Sequence, residues 1–547
     1  MEILSDDILL TIFEFLDDVS IFKVAKVSKR WNRIISSSTP LIRRATLAID
    51  ISAWKDDATS SDEMIKILSE ILEKFSFRNF KLTSNSHFNS KERSVMNVIK
   101  QRVEKIEKLC INSFSGGLML SMLMFSASTL TNLIISTSFP DEEYAGFVDL
   151  ANLEYLKLNS VDSILRVLKC ENLKSLDIVN CKDREALYEF FEQSNYLPHL
   201  KSLTTFQLFW MLGDLTELPF ELENLVITRF SSIRTDILHG FLLQQAKSLK
   251  NLTIMEKQIS VSTVHFISDN MRNLESIKIQ GSLLNTSKNE NESKLKNLKV
   301  KNLEMRLVAD LYNFPGSPEL NEANDVLKIL SKCINLEKFK FQGTVSTLSP
   351  FECTLSLPKL KSFEIETIKQ FSFWNCFELN NLENFALETL NCCPGNMNEL
   401  LNFLPKLPKL KNFQINTWPC IIHQIKNMKG LEMKRFIDLL KNFESFRVKN
   451  SENMTKKFLN NFIGFESKTF KLLAISCEED ENIIEHFRNN FKNAEFQTMF
   501  SKSVNYKATG TWQEKVEELA NHDDNEGAYR VENMYRNFMT NVFYPHF

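Results

Sequence analysis

The sequence predicts an α/β fold: a small N-terminal helical unit followed by a long, irregular solenoid of strand–helix repeats. Three observations predict it. An apolar triplet, with members three and then two residues apart, recurs from residue 77 onward. The chain has 547 residues, more than one compact core normally uses. It also contains 44 Phe but only 13 Gly and 13 Pro, which favours regularly packed elements over long loops. The predicted horseshoe has a parallel sheet inside and helices outside.

Residues 1–45 are predicted to form three short helices. Ser5 is a suitable N-cap for the first helix, and Asp6 and Asp7 in its first turn favour the helix dipole. The second helix leads to Val27 and the third contains Trp31. So small a unit is marginal alone, and its apolar side chains exceed what it can cover, which indicates a protein partner. The alternative, that these helices cap the following domain, stays open. The apolar face of the first helix consists of Ile8, Leu9, Ile12, Phe13 and Leu16.

The stretch from Leu4 to Ile35 resembles an F-box. Three positions depart from the family pattern: Ser5 replaces a Pro, Asp7 a Glu and Ser28 a Cys. The resemblance implies docking onto the Skp-type adaptor of an SCF ubiquitin ligase, which in turn recruits a cullin and a RING protein. Nine positions match in order and spacing: Leu4, Ile8, Leu9, Ile12, Phe13, Leu16, Val27, Lys29 and Trp31. All of these except Lys29 are the predicted adaptor-binding residues.

Residues 46–500 are the predicted solenoid. Clear triplets start at Leu153, Leu173, Leu222, Leu249, Leu274, Leu336, Leu360, Leu382 and Leu410. Weaker triplets start at Phe77, Ile106, Leu130, Leu203, Leu295, Phe443, Phe470 and Phe491. Segments between them have helical apolar spacing, as from Met64 to Phe75 and from Phe436 to Leu440.

This arrangement resembles the leucine-rich-repeat family over most of residues 70–500, although loosely. The family often has Asn or Cys after the strand, and here Cys181 fits that place in one repeat. The long gap from Leu295 to Leu336 holds either an unrecognised repeat near Leu303–Val308 or a loop from Asn313 to Pro318. Residues 501–547 leave the pattern and form either a C-terminal cap over the last repeat or a tail on the concave face.

Composition and motifs predict a non-catalytic protein. The sequence contains no phosphate-binding glycine loop, no nucleophile elbow and no HExxH motif, and its eight His show no metal-ligand spacing. No catalytic residue, metal or cofactor is therefore predicted. A net charge of −3 gives no bulk affinity for nucleic acid or an anionic membrane.

The expected compartment is the cytoplasm, the nucleus or both. The start of the chain does not have the pattern of a signal peptide, and the most apolar stretch, Gly116–Ala127, is shorter than a membrane span. Ten Cys without a CxxC pair are expected to be reduced and mostly buried.

The concave face of the solenoid is the predicted substrate surface, because alternate strand residues point away from the core. We expect a basic stripe to bind an acidic or phosphorylated segment of a protein substrate. The alternative is that these charges serve only solubility and edge protection. The basic stripe consists of Lys278, Lys299, Lys301, Lys338 and Lys340, and the acidic stripe beside it of Glu364, Glu366 and Glu388.

The predicted function is substrate recognition for an SCF-type ubiquitin ligase, with the F-box bound to the adaptor and the repeats bound to the substrate. Two alternatives stay open: an F-box scaffold acting outside a ligase, and a leucine-rich-repeat ligand receptor.

Overall fold

The structure is a computed structural model. It describes residues 5–15, 28–53, 58–84, 89–113, 116–136, 147–159, 163–179, 184–205, 220–228, 235–284, 298–307, 326, 329–343, 355–367, 377–389, 396–417, 430–449, 469, 471–475 and 495–498. The predicted second helix of the F-box, Cys181, the possible loop at 313–318 and residues 501–547 lie outside these ranges.

The N-terminal unit contains three described helices, Asp6–Glu14, Lys29–Ser37 and Thr39–Arg44. Two serines that depart from the F-box pattern begin the first two of them. The Ser5 hydroxyl accepts a hydrogen bond from the Ile8 backbone N–H at 3.4 Å, and the Ser28 hydroxyl accepts one from the Trp31 N–H at 3.1 Å. The substitutions therefore retain helix starts, because serine caps orphan N–H groups.

One large parallel sheet runs through the rest of the described chain, and its 18 strands pair with each other in chain order. This ordering is that of a solenoid. The strands are Thr46–Asp50, Asn79–Thr83, Lys108–Asn112, Asn132–Ser136, Tyr155–Asn159, Ser175–Val179, Ser202–Thr205, Asn224–Thr228, Asn251–Ser260, Ser276–Leu284, Asn302–Leu307, Lys338–Gly343, Ser362–Thr367, Asn384–Thr389, Asn412–Thr417, Ser445–Lys449, Leu472–Ile475 and Glu495–Thr498.

Helices or short extended segments connect many of these strands. The described helices are Ala58–Lys74, Asn89–Arg102, Gly116–Ser126, Arg184–Gln193, Thr235–Gln244, Val261–Asn270, Asn396–Phe403 and Leu431–Leu440. Short 3-10 turns occupy Ile51–Ala53, Ser163–Val167 and Leu404–Lys406. Two further pairs of two-residue strands join Val148–Asp149 to Leu168–Lys169 and Leu355–Ser356 to Phe377–Glu378. No helix in the described ranges is long and apolar enough to cross a membrane.

Three predicted repeat starts are wrong. Strand Ser202–Thr205 buries Leu203 as the middle member of its triplet, so that repeat begins at Leu200 and not at Leu203. Strand Asn302–Leu307 buries Leu303 and Met305, so its repeat begins at Val300 and not at Leu295. The unrecognised repeat near Leu303 is thus present.

The third error concerns the last described strand, Glu495–Thr498. Its register aligns Phe496 with Leu473 and Phe446, the middle members of the two preceding triplets, whereas a start at Phe491 would make Phe496 the last member. Strand Thr46–Asp50 was not predicted at all. Both strands share one cause. The first member of the triplet is polar, Arg44 in one case and Asn493 in the other, so an apolar pattern does not show it.

Aromatic side chains dominate the core of the later repeats. Five phenylalanines at the same buried position of successive strands stack along the sheet: Phe339, Phe363, Phe385, Phe413 and Phe446. Successive ring centroids lie 5.4, 5.8, 5.7 and 5.5 Å apart. Each ring is at most 2% exposed. The in-register strands therefore explain why so many Phe residues occur: each contacts its counterparts in the repeats before and after it.

Asparagines just before the strands link neighbouring repeats. The side-chain amides of Asn152, Asn172, Asn273 and Asn381 each donate to a backbone carbonyl of the preceding repeat at 2.6–2.8 Å. Each is followed by the leucine that opens a triplet. They satisfy turn carbonyls before the strand, whereas the family pattern has its Asn or Cys after the strand.

Replacing Phe385 with Ala is expected to lower the free energy of unfolding by about 3–5 kcal/mol, because the cavity lies between two stacked rings. Urea denaturation of the full chain measures the change. Phe147→Ala is the matched control, since Phe147 is 62% exposed and its loss leaves no cavity. Equal effects of the two substitutions would contradict the importance of the aromatic stack.

Candidate functional site

An apolar surface lies on the first helix of the N-terminal unit. Ile8 is 49% exposed and Ile12 is 44% exposed, and Phe15, which ends the helix, is 87% exposed. Their spacing of four and three residues places them along one side of the helix. Phe15 was not among the predicted adaptor-binding residues, although its position three residues after Ile12 was a signal for it. We call these three residues the docking face, after the adaptor docking that the F-box resemblance implies.

Other predicted adaptor-binding residues hold the unit together. Leu9 and Phe13 are only 1% and 2% exposed. The Phe13 ring meets the half-buried Trp31 ring edge-on, with centroids 5.3 Å apart. These side chains therefore join the first helix to Lys29–Ser37, and their role in adaptor binding stays a prediction. Leu4, Leu16 and Val27 lie outside the described residues.

Charged side chains fasten the same two helices at their polar ends. The Arg30 guanidinium lies 2.7 Å from Asp6 Oδ1, and Arg33 lies 3.6 Å from Asp6 Oδ2. The Asp6 carboxylate thus interacts favourably with the dipole of its own helix and also forms ion pairs with the neighbouring helix. The docking face is held in place by an aromatic contact and by an ion pair.

Oppositely charged side chains alternate along the exposed face of the sheet. Strand register places Lys278, Glu304, Lys340 and Glu364 side by side. Lys278 Nζ lies 3.3 Å from Glu304 Oε1, and Arg306 Nε donates to the same oxygen at 2.8 Å. Lys340 donates to Glu364. The positive and negative charges of this row therefore largely cancel each other.

The predicted continuous basic stripe does not form. Because the repeat begins at Val300, Lys299 and Lys301 precede the strand and do not project from it. Lys301 instead pairs with Glu275 at 3.5 Å, and Lys299 is exposed. Lys338 is exposed at the start of its strand.

Of the predicted acidic stripe, Glu364 pairs with Lys340. Glu366 and Glu388 are paired by backbone register in adjacent strands. The binding role of both stripes stays a prediction.

Glu304 is the carboxylate of this row that forms ion pairs with two cations, Lys278 and Arg306. Burial by itself raises the pKa of its carboxyl, but Lys278 and Arg306 together outweigh burial, so the pKa lies below its usual value. Glu304 is therefore a carboxylate at neutral pH, bound to two cations.

A second polar cluster lies on the same face nearer the N-terminus, and sequence reasoning missed it. Lys157 Nζ lies 3.2 Å from Asp177 Oδ2. Burial raises the pKa of Asp177 despite this lysine, and burial followed by the Asp177 charge raises the pKa of Tyr155. Burial also raises the pKa of the nearby Cys110 thiol, which argues against a reactive thiolate. Alternation along the strands was the signal that could have found the cluster.

Two further cysteine thiols lie in the described part of the chain. Cys170 and Cys333 are buried, and burial raises the pKa of the Cys333 thiol to about 12. Within the described ranges, no group of three or more His, Cys, Asp or Glu side chains is arranged to hold a metal ion.

Comparison with known proteins identifies the N-terminal unit. The F-box domain family matches residues 1–43, so the chain carries an F-box domain there. No curated protein matches the sequence.

Two solved structures are similar at low level. The yeast Rad7 and Elc1 complex shares 13% identity and a TM-score of 0.30, covering 83% of this chain and 94% of that one. The TLR13–ssRNA13 complex shares 13% identity and a TM-score of 0.37, covering 84% and 65% respectively. At these TM-scores neither similarity supports a functional conclusion.

Substituting Glu304 with Gln is expected to reduce the acid sensitivity of the fold. The pKa of Glu304 is lower in the folded than in the unfolded chain, so its stabilising effect is present above the ordinary glutamate pKa. It is lost as pH falls through the lowered, folded-state pKa. The urea midpoint, followed from about pH 7 to about pH 3, should therefore fall less in the variant. Glu63→Gln, on an exposed helix position, is the control and should keep the wild-type profile.

Proposed function

We propose that this protein is the substrate-recognition subunit of an SCF-type ubiquitin ligase, acting in the cytoplasm or the nucleus. Its F-box binds a Skp-type adaptor, and through it a cullin and a RING protein. Its repeats, which we propose to be of the leucine-rich type, hold a protein substrate. The observation that carries the proposal is the F-box domain at residues 1–43, with an exposed apolar docking face.

In this proposal the chain supplies no chemistry. Binding the adaptor at one end and the substrate along the solenoid raises the effective concentration of substrate lysines near the ubiquitin-carrying enzyme. F-box domains generally belong to such non-catalytic adaptors. The buried, protonated thiols of Cys170 and Cys333 agree with this role.

The docking face has the composition expected of an adaptor contact. Phe15 is the largest exposed apolar side chain on it, and aromatic residues often dominate interface energies. Ile8 and Ile12 extend the same side of the helix. Because Leu9 and Phe13 hold the helix from behind, the face can be altered without emptying the small core.

The double variant Ile8→Asp, Ile12→Asp is expected to abolish co-purification with the Skp-type adaptor while leaving the far-ultraviolet circular dichroism unchanged. Docking would bury the two introduced carboxylates, which is unfavourable, whereas in the free protein both positions remain exposed to water. Met124→Asp is the control, since Met124 is 68% exposed on a solenoid helix and should leave adaptor binding intact.

Co-purification of the cullin discriminates the alternatives. Adaptor with cullin supports a ligase subunit, whereas adaptor without cullin supports a scaffold acting outside a ligase. Equal adaptor capture by wild type and the Ile8, Ile12 variant would refute the docking face.

We further propose that the substrate binds the exposed face of the sheet in the later repeats. The predicted residues there are Lys278, Lys299, Lys301, Lys338, Lys340, Glu364, Glu366 and Glu388. Because Lys278–Glu304 and Lys340–Glu364 already pair with each other, the row offers both signs of charge to a partner. A substrate segment with mixed charges fits this row better than a uniformly acidic one.

Reversing two lysines tests this surface. The variant Lys338→Glu, Lys340→Glu should bind the adaptor as wild type does but lose the ubiquitination of those proteins whose modification depends on the wild-type chain. Quantitative mass spectrometry of ubiquitinated peptides measures this. Lys66→Glu, on an exposed position of the outer helix Ala58–Lys74, should change nothing. An unchanged set of modified proteins in the double variant would exclude these lysines from substrate binding.

A further inference from the structure

Charged residues immediately before the strands form a row along one rim of the sheet, which we call the rim ladder. From residue 201 to residue 471 its sign alternates at every strand: Lys201, Glu223, Lys250, Glu275, Lys301, Glu337, Lys361, Glu383, Lys411, Glu444 and Lys471. Five successive ion pairs are formed within it. Their N–O distances are 2.7 Å for Glu223–Lys250, 3.5 Å for Glu275–Lys301, 3.9 Å for Glu337–Lys361, 3.0 Å for Glu383–Lys411 and 3.2 Å for Glu444–Lys471.

The alternation gives each charge opposite neighbours on both sides. The pKa of Glu383 is lowered by its hydrogen bond to Lys411 and then by the charges of Lys411, Lys361 and Lys409. The pKa of Lys411 is raised by its hydrogen bond to Glu383 and then by the charges of Glu383 and Glu444. Each repeat is therefore attracted along the rim to the repeat before it and to the repeat after it.

One junction reverses this rule. Lys174 and Lys201 carry the same charge and are direct neighbours, since the Lys201 N–H donates to the Lys174 carbonyl at 2.8 Å. Lys174 turns its ammonium to Glu154 on its other side, at 2.7 Å. Lys201 Nζ donates to the Glu221 carbonyl on the opposite side, at 3.4 Å. Strands Ser175–Val179 and Ser202–Thr205 thus meet at a step of the rim ladder where two like charges are neighbours and form no ion pair with each other.

The connection between the same two strands is strained. Asn195, Tyr196 and Leu197 have φ angles of 51°, 54° and 53°, three consecutive residues in the left-handed region. Residues with a Cβ rarely adopt this region, and then singly. In the described ranges, Ser113 is the one other non-glycine residue with positive φ. This strain is independent of the charges.

Two buried acceptors in the same repeat also lack a hydrogen bond. Asp177 Oδ1 lies on the first strand of the junction, and Gln193 Oε1 ends the helix Arg184–Gln193 that leads to the second. Unsatisfied buried acceptors lower the stability of the state that buries them. Three different weaknesses therefore coincide between residues 174 and 202.

We infer that this junction is a hinge that divides the solenoid into an F-box-proximal block and a distal block. Buried Leu197, Leu200 and Leu203 and the intact strand pairing keep it closed at rest. Opening relieves the like charges, the strained turn and the unsatisfied acceptors together, so this junction opens before its neighbours. Movement of a substrate surface relative to the adaptor by this hinge is the part that rests on the proposed function.

Hydrogen exchange of the full chain, followed by mass spectrometry, tests the hinge whether or not the protein binds an adaptor. Amides of residues 201–205 should exchange faster than those of residues 412–417. The charge swap Glu154→Lys, Lys174→Glu keeps the composition and the ion pair but places Glu beside Lys201. It should slow exchange at residues 201–205 about two- to five-fold, as expected when an exposed like-charge contact becomes an opposite-charge contact. Because salt screens exposed charges, the slowing should shrink at about 1 M salt.

The matched control is the same swap within the regular rim ladder, Glu383→Lys, Lys411→Glu. It also retains its pair but creates like-charge contacts with Lys361 and Glu444, so exchange of residues 412–417 should accelerate by a similar factor. Slowed exchange at the junction with accelerated exchange in the control supports the hinge. Wild-type exchange at residues 201–205 no faster than at residues 412–417, or a junction rate that the first swap leaves unchanged at low salt, overturns it.

Discussion

Every repeat depends on backbone hydrogen bonds that only its neighbours can supply. The carbonyl just before a strand accepts two N–H groups of the next repeat, as Glu383 does from Lys411 and Asn412, both at 2.9 Å. The same exchange recurs from strand to strand and keeps the later strands in one register. Equivalent residues therefore stand side by side, which makes each sequence position a row along the molecule.

The rows have different chemistry because they have different surroundings. The inward positions form the phenylalanine stack, where each ring excludes water from the next. The exposed positions form the Lys278–Glu304–Lys340–Glu364 row, and the rim positions form the rim ladder. In both charged rows the nearest neighbour usually has the opposite sign. At Lys174 and Lys201 in the rim ladder, the same register brings two like charges to neighbouring positions.

The F-box follows a different rule, since its helices are too few to share a repeating register. Its small core contains the Phe13–Trp31 contact, and an exposed Asp6–Arg30 ion pair joins the same two helices. With Leu9 and Phe13 buried, Ile8, Ile12 and Phe15 remain exposed. The described helices of the N-terminal unit thus present an apolar surface, whereas recognition in the proposed function is spread over many repeats.

Local pattern accounts for much of this. The helix capped by Ser5, the apolar face that contains Ile8 and Ile12, and most strand positions followed from the sequence, because apolar spacing indicates which residues share one side of an element. The same rule does not separate buried from exposed apolar side chains within the first helix. Leu9 and Phe13 look like Ile8 and Ile12 in sequence, and only the packing of the neighbouring helix separates core from surface.

The charged surface shows the limit most clearly. One repeat begins at Val300 and not at Leu295. Lys299 and Lys301 therefore precede the strand, and Glu304 lies between Lys278 and Lys340 in the register of the sheet. The sequence by itself determined a helical F-box followed by parallel strand repeats, because those depend on local periodicity. Which charges meet, which apolar side chains of the F-box stay exposed and where the rim ladder loses its alternation were decided by tertiary structure, because each depends on contacts between elements that the chain pattern does not show.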